Sequence, residues 1–301
     1  MADHNSRAQQ IAGHLDWPRG LLAGQVAIIT GSGQGIGAET ARLFAREGAK
    51  VVVCDIDQVK AEEVADEIRM FGGSAISVAG DILDVTHLET LVKRAAEFGG
   101  GKIHIIVNNA GYTWDAVIHK NTRLTVRPLG VKMTDKQWDT IIALHNTAPF
   151  KLIRAAAPYF RVRDGEPRCI INISSTGGTH GSAGQANYSL AKAGLTGLSK
   201  TIAKEWGPQF GVRANSIAFA HILTRLTQAR EDGAFVATPD GQRLALGIPS
   251  KSKSRAHTFD DIALRRPGTV REAAGSILAV ASPLFGYVTG QTIEVTGGRD
   301  M

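Results

Sequence analysis

A chain of 301 residues, 43% hydrophobic and 21% charged, has the composition of a soluble globular protein, long enough for one large α/β domain or two small ones. It carries no apolar run near the roughly 20 residues that cross a bilayer, and residues 1–22, polar and mixed with Asp3, Arg7, Asp16 and Arg19, lack the apolar centre of a secretory signal. The formal charge of +6 favours acidic partners such as an acyl-carrier protein or coenzyme A, but the basic residues are scattered without interleaved aromatics, which argues against nucleic acid.

Residues 1–22 read as an N-terminal extension and 23–301 as a single domain. The first strand, Val26–Thr30, runs into Thr30-Gly31-Ser32-Gly33-Gln34-Gly35-Ile36-Gly37 and a helix over Ile36–Arg46. Glycines in a strand–turn–helix context permit a tight turn and close approach of backbone to a pyrophosphate, with the helix N-terminus offering free N–H groups. The second strand, Lys50–Cys54, ends at Asp55. An acid about 20 residues beyond such glycines accepts hydrogen bonds from an adenosine ribose and repels a 2′-phosphate. With no basic residue in the glycine turn, this favours NAD over NADP as cofactor. A strand-end turn residue is the bland alternative for Asp55.

Apolar and amphipathic segments keep alternating downstream. Helices are expected over Val59–Phe71, Leu88–Phe98, Thr134–Phe160, Gln185–Trp206 and Val270–Ser282. Strands are expected over Ser74–Ala79, Ile103–Val107, Cys169–Ile173, Val212–Ile217 and Thr292–Val295. Strands separated by helices imply right-handed crossovers and a doubly wound parallel sheet covered on both faces. Cys54 and Cys169 fall in β-branched apolar runs and read as small buried hydrophobes of a reducing compartment, the cytoplasm, rather than as a disulfide or metal site. Two stretches break the rhythm. Asn121–Lys132 is basic, and Arg225–Arg266 is a long loop rich in Gly, Pro, Ser and Lys, the length at which a loop is commonly a functional lid or disordered.

Chemistry concentrates in Tyr188-Ser189-Leu190-Ala191-Lys192, with Ser175 upstream at the end of an apolar run. On a helix, positions i and i+4 share a face, so an ammonium would flank a phenol. A neighbouring cation favours the ionised form of a tyrosine and would equip it as a general acid or base. An ordinary exposed i,i+4 pair is the competing reading.

Taken together, these motifs resemble the short-chain dehydrogenase/reductase family from about Leu22 to Gly298. The resemblance adds Asn108-Asn109-Ala110-Gly111 after the fourth strand, Asp81-Ile82 at the end of the third, and the closing Gly290-Gln291-Thr292-Ile293-Glu294-Val295-Thr296-Gly297-Gly298. It implies a single Rossmann-type domain. In the cofactor site Gly31, Ser32, Gln34, Gly35, Ile36 and Gly37 would form the phosphate turn, Asp55 would hold the ribose, and Asp81 and Ile82 would contact adenine. Asn109 would brace the sheet, and Thr224 would hold the carboxamide. Tyr188 would be the general acid or base, Lys192 would bind the nicotinamide ribose and lower the tyrosine pKa, and Ser175 would polarise the substrate oxygen. His145 stands where the family often has an asparagine that anchors a water relay; a relay histidine and a buried structural histidine both fit. Ala218-Phe219-Ala220-His221 replaces a common Pro-Gly, with Phe219 lining the ring pocket or packing the core.

Within the family, Asn109-Ala110-Gly111-Tyr112-Thr113-Trp114-Asp115, Gly184-Gln185-Ala186-Asn187-Tyr188 and Gly194-Leu195-Thr196-Gly197-Leu198-Ser199-Lys200 look most like the 3-oxoacyl-(acyl-carrier-protein) reductase-like members. Residues 121–132 then look like an insertion at the active-site rim, either a basic lid or a surface excursion. The resemblance implies a homotetramer joined through the helices after Thr134 and Gln185. It also implies an oxidoreductase interconverting a secondary alcohol and a ketone, with a 3-oxoacyl or 3-hydroxyacyl thioester as the first substrate. Rival readings are a non-catalytic dinucleotide sensor or scaffold, and a reductase of steroid, sugar or polyketide-like ketones.

Overall fold

The computed structural model describes residues 20–119, 132–228, 233–237, 241, 243–247 and 259–299. Most of the expected N-terminal extension, all but Lys132 of the 121–132 insertion and much of the 225–266 loop therefore lie outside the described residues. Leu22, assigned to the extension by its sequence, is fully buried in the core.

The sheet is built from β1 (Val26–Thr30), β2 (Lys50–Cys54), β3 (Ser74–Ser77), β4 (Ile105–Asn108), β5 (Arg168–Ser175) and β6 (Val212–Phe219), with β9 (Thr292–Val295) at one edge. Every pairing is parallel, in the order β3-β2-β1-β4-β5-β6-β9. β1 and β4 are fully buried and β2 is buried after Lys50, and they carry apolar runs because helices cover both faces of the sheet. Two apolar cores result. One lies beneath α3 (Val85–Phe98) and the later helices α5 (Ala148–Phe160) and α6 (Ala186–Phe210). The other lies beneath α1 (Gly35–Arg46), α2 (Gln58–Met70) and α7 (Val270–Ala281).

The single helix expected over Thr134–Phe160 is interrupted. A capping box at Thr134 and Gln137 starts α4 (Asp135–Ile142), a π-helical turn follows over Ala143–Thr147, and α5 continues from Ala148. Such turns are frequent at functional sites, and this one contains His145. Two observed strands go beyond the sequence reading. Phe235–Ala237 (β7) and Arg243–Ala245 (β8) form an antiparallel hairpin inside the stretch expected to be loop. Val236, Leu244 and Leu246 turn its apolar side onto the core, where Tyr188 also packs, and Arg243 lies 3.6 Å over the Phe235 ring.

A buried polar chain fastens α6 to the sheet. Asn108 Nδ2 donates to Asn172 Oδ1 (2.8 Å), Asn172 Nδ2 to Ser199 Oγ (2.8 Å), and Ser199 and Ser216 share a hydrogen bond of 2.9 Å. Ser174 Oγ donates to the Lys192 carbonyl at 2.8 Å. Leaving one such buried group unpaired costs about 1–3 kcal/mol, so the chain holds the helix that carries Tyr188 and Lys192 in one register against β5.

Candidate active site

In an open parallel sheet, ligands bind beyond the carboxyl ends of the strands where the strand order reverses. Here the reversal falls between β1 and β4. The main cleft lies there, lined by residues that follow five strands: Gly31 and Gln34–Ile36 after β1, Asp55 and Ile56 after β2, Gly80–Leu83 after β3, Asn109–Tyr112 after β4, and Thr224–Leu226 after β6.

Each side of the cleft has a local cause. Gly31 adopts φ +63°, and a Cβ there would stand 2.7 Å from the Ala110 Cα, so the first turn and the segment after β4 can touch only through glycine. Asn109 bridges the two, its Nδ2 donating to the carbonyls of Thr30 and Gly31 at 3.0 Å each. Asp55 is buried, with Oδ2 accepting from the Gly33 N–H (2.9 Å) and Oδ1 from the Asp57 N–H (3.1 Å). These bonds aim its carboxylate at the turn without consuming every lone pair. Asp81 Oδ1 accepts from the Leu83 N–H at 2.9 Å.

Gly31, Gln34, Gly35, Ile36, Asp55, Asp81, Ile82, Asn109 and Thr224 all line this one cleft. Ser32 and Gly37 do not. Ser32 is fully buried, with Oγ donating to the Ile29 carbonyl at 2.6 Å and accepting from the Cys54 N–H at 3.0 Å. It ties β1 to β2 from inside. A Cβ on Gly37 would strike the Gly31 carbonyl, so that glycine serves helix–turn packing. The cradle has the chemistry to accept a dinucleotide: exposed glycine backbone, a helix N-terminus behind it, and the carboxylate of Asp55 in the same lining.

The serine, tyrosine and lysine converge at the end of β5. Ser175 is its last residue, and its Oγ accepts from the Gly177 N–H at 3.1 Å. The same hydroxyl acts to lower the pKa of the phenol of Tyr188, which projects from the first turn of α6. Asn187 orients that turn: its Nδ2 donates to the carbonyls of Gln137 (3.0 Å) and Trp114 (3.3 Å). Lys192, one turn on, is buried; its Nζ lies 5.4 Å from the centre of the Tyr188 ring and donates to the Ile173 carbonyl at 2.7 Å.

The electrostatics differ from the sequence expectation. Burial pushes the Tyr188 phenol up to about 12, against the lowering effect of the Ser175 hydroxyl and with help from the Asp115 charge. Burial also brings Lys192 down to about 7. Burial is the first cause of both shifts, and it outweighs any effect of the neighbouring ammonium on the phenol in the unliganded chain.

His145 is buried, and its Nε2 lies 2.9 Å from the Tyr112 carbonyl, the geometry of an Nε2–H donor. Burial first, and the Lys192 charge next, hold its pKa well below the ordinary value, so the ring is neutral at physiological pH. It meets the Tyr188 ring edge-on, centroids 5.2 Å apart, and presses so closely on Gly111 that a Cβ there would collide with it. Its neighbour Asn146 donates to the Ala191 carbonyl at 2.8 Å. Phe219 packs in the core. Cys54 and Cys169 are buried free thiols, with burial pushing both pKa values up.

Sequence reasoning missed Arg225, Val236 and Leu246, which line the same cleft as the glycine turn. Arg225 follows Thr224 in a segment with no motif, and only the chain path after β6 carries it to the acids after β2.

A glycine-floored cleft at the reversal of a seven-stranded parallel sheet, with a serine–tyrosine pair beside it, defines a dinucleotide-dependent oxidoreductase of the Rossmann class. Residues 25–234 match the family model of short chain dehydrogenase. The 3-oxoacyl-[acyl-carrier-protein] reductase FabG of Thermotoga maritima is 32% identical over 278 residues, covering 92% of this chain and 98% of the relative. The 3-oxoacyl-[acyl-carrier-protein] reductase of Synechocystis is 34% identical over 283 residues (93% and 98%), and the short-chain reductase protein NovJ of Streptomyces niveus is 34% identical over 275 (91% and 93%). The chain belongs to the short-chain dehydrogenase/reductase family and resembles its 3-oxoacyl reductase-like members. It is an oxidoreductase acting on CH–OH groups with a nicotinamide dinucleotide. Among the described residues no helix is long and apolar enough to cross a membrane.

Proposed function

We propose that this enzyme interconverts a 3-oxoacyl and a 3-hydroxyacyl thioester with NAD(H), using Tyr188 as the general acid and base. The observation that carries the reading is Ser175, at the end of β5, acting on the phenol of Tyr188, with a buried lysine 5.4 Å from the Tyr188 ring centre, in a chain whose cleft is lined by the glycine turn and Asp55. The names of the 3-oxoacyl-[acyl-carrier-protein] reductases among its relatives support the substrate class, as does the apolar wall of Leu144, Leu226, Val236 and Leu246, which suits an acyl chain.

The dinucleotide supplies the hydride donor or acceptor when bound. Gly31, Gln34, Gly35 and Ile36 would take its phosphates, Asp55 the adenosine ribose, Asp81 and Ile82 the adenine, Thr224 the carboxamide, and Lys192 the nicotinamide ribose. Ser175 is a hydroxyl whose oxygen already accepts from Gly177, which leaves its proton to donate to a substrate carbonyl oxygen. Tyr188, with its pKa pushed up to about 12, stays protonated at neutral pH and serves as the proton donor to the forming alkoxide during reduction. His145 acts by position: neutral and bonded to the Tyr112 carbonyl, it wedges the Gly111–Tyr112 segment against the tyrosine ring. Two buried thiols agree with a reducing compartment, the cytoplasm.

The test is turnover of a short 3-oxoacyl thioester with NADH and NADPH side by side, for the wild type and Asp55→Ala. The wild type is expected to prefer NADH, and the variant to shift the kcat/KM ratio toward NADPH by about tenfold or more, since removing one repulsive charge near a phosphate is worth about 1–2 kcal/mol. An unchanged ratio would refute the Asp55 assignment, and absence of turnover across thioesters would refute the substrate class.

A homotetramer is the proposed assembly. Trp138, Phe150 and Leu190, on α4, α5 and α6, are large apolar residues exposed in the single chain, and a helix-to-helix interface between copies would cover them. Light scattering that reports a monomer at micromolar concentration would contradict it.

A further inference from the structure

We propose that Arg225 is a phosphate-holding residue of the cofactor site, reaching across the cleft from the segment after β6 toward the turn that follows β1. The inference rests on the dinucleotide reading above.

Three observations carry it. Arg225 is half-buried and lines the same cleft as Gln34, Gly35, Asp55 and Asp81, so its charge sits inside the site and not on an outer face. Burial lowers its pKa, with the charges of Asp55 and Asp57 acting the other way, and among the described residues it forms no ion pair with either. Asp55 is engaged by the N–H groups of Gly33 and Asp57, and Asp57 pairs with Lys60 at 2.9 Å and caps α2. Finally, among the described residues its Nη1 reaches only the Phe235 carbonyl on β7, at 3.4 Å, the outer limit of a hydrogen bond. A planar five-donor fork held in a partly desolvated cleft, with no carboxylate partner among the described residues, is suited to bidentate binding of a phosphate.

The wall facing it has the same polarity. The N-terminus of α1 presents N–H groups at Gly35 and Ile36, so an anion between them would be held from two sides. The phosphate has two possible sources: the 5′-pyrophosphate common to both cofactors, and the 2′-phosphate that distinguishes NADP. The second source bears on specificity. Asp55 alone disfavours a 2′-phosphate, and Arg225 would offset part of that repulsion although the glycine turn itself carries no cation.

Binding of adenosine, adenosine 5′-diphosphate and adenosine 2′,5′-bisphosphate, measured by calorimetry, separates these terms without turnover. Arg225→Gln is expected to weaken the phosphorylated ligands by about tenfold and leave adenosine unchanged, while Arg225→Lys recovers part of the loss as a point charge. Equal weakening of both anions assigns the pyrophosphate, and a larger loss for the 2′,5′-bisphosphate assigns the 2′-phosphate. Unchanged affinity for both anions in Arg225→Gln overturns the proposal. Titration of the wild type with NADH and NADPH is the control that separates the two readings: binding of neither would sink the dinucleotide reading itself, whereas wild-type binding without an effect of the substitution sinks only the role of Arg225. A thermal melt shows whether each variant is folded.

Discussion

Tyr188→Phe is expected to lower kcat by about 10²–10⁴-fold in both directions, the usual contribution of a positioned general acid or base, while binding NADH with an affinity close to that of the wild type. The substitution removes one oxygen and keeps the ring, which remains edge-on to His145 at 5.2 Å and below the Lys192 ammonium at 5.4 Å. Fold and cofactor cleft are therefore preserved, because the packing of the ring is kept. NADH fluorescence titration and steady-state rates on the same preparation separate the two effects. Turnover within a few-fold of the wild type would eliminate Tyr188 as the proton donor, and a parallel loss of NADH binding would show that the phenol serves binding instead.

The second large effect has opposite signs for activity and stability. Lys192→Met should reduce turnover by two orders of magnitude or more, as loss of a catalytic-site interaction commonly does, and yet raise the melting temperature of the unliganded protein by about 3–8 °C at pH 6. Burying an ammonium is costly, and burial alone brings Lys192 down to about 7. An unfolded lysine titrates near ~10.4. Between those values the unfolded state binds more protons than the folded one, so wild-type stability rises with pH across that window. Below about pH 7 the full penalty of the buried charge is present, and there Met gains most; the gain should shrink as pH approaches 10. The lost bond from Nζ to the Ile173 carbonyl, 2.7 Å, offsets about 1 kcal/mol of it. Above pH 10 Tyr188 adds an opposing trend, because a folded tyrosine with its pKa pushed up to about 12 keeps a proton that the unfolded chain releases. Thermal melts between pH 6 and 9 therefore isolate the lysine. A variant no more stable than the wild type at pH 6 would show that the buried ammonium carries no penalty.

These two predictions depend on different kinds of legibility. The strand–turn–helix around Gly31–Gly37, the acid at Asp55 and the i,i+4 spacing of Tyr188 and Lys192 are local patterns, and periodicity and turn chemistry express them directly in one dimension. Strand ends shifted by one or two residues, as in β4 and β5, because the ladder with a neighbouring strand sets where a strand stops. The π-turn at His145 left no mark in the sequence, since an extra residue in a helical turn is accommodated by packing against Tyr188 and Gly111 and not by the propensity of Ala143–Thr147. The hairpin of β7 and β8 was hidden in a stretch whose Gly, Pro and Ser content reads as loop; burial of Val236, Leu244 and Leu246 on a distant core selects its strands. Ser32 and Gly37 were read as cofactor contacts because the motif spans them, but the sense in which each faces, inward or toward the cleft, is a property of the turn in three dimensions.

By itself the sequence determined the fold class and the strand–turn–helix of the glycine turn, because these are written in periodicity and turn residues; Ser175, Tyr188 and Lys192 were candidates through short spacing together with the family resemblance. The tertiary structure alone decided the charge state of the site and the members that come from afar. A pKa depends on how much water surrounds a group and which charges face it, so spacing put an ammonium beside a phenol but burial decided that Lys192 falls to about 7 while Tyr188 rises to about 12. For the same reason Arg225 became part of the cofactor cleft only when the chain after β6 crossed the ends of the strands and brought its guanidinium toward Asp55.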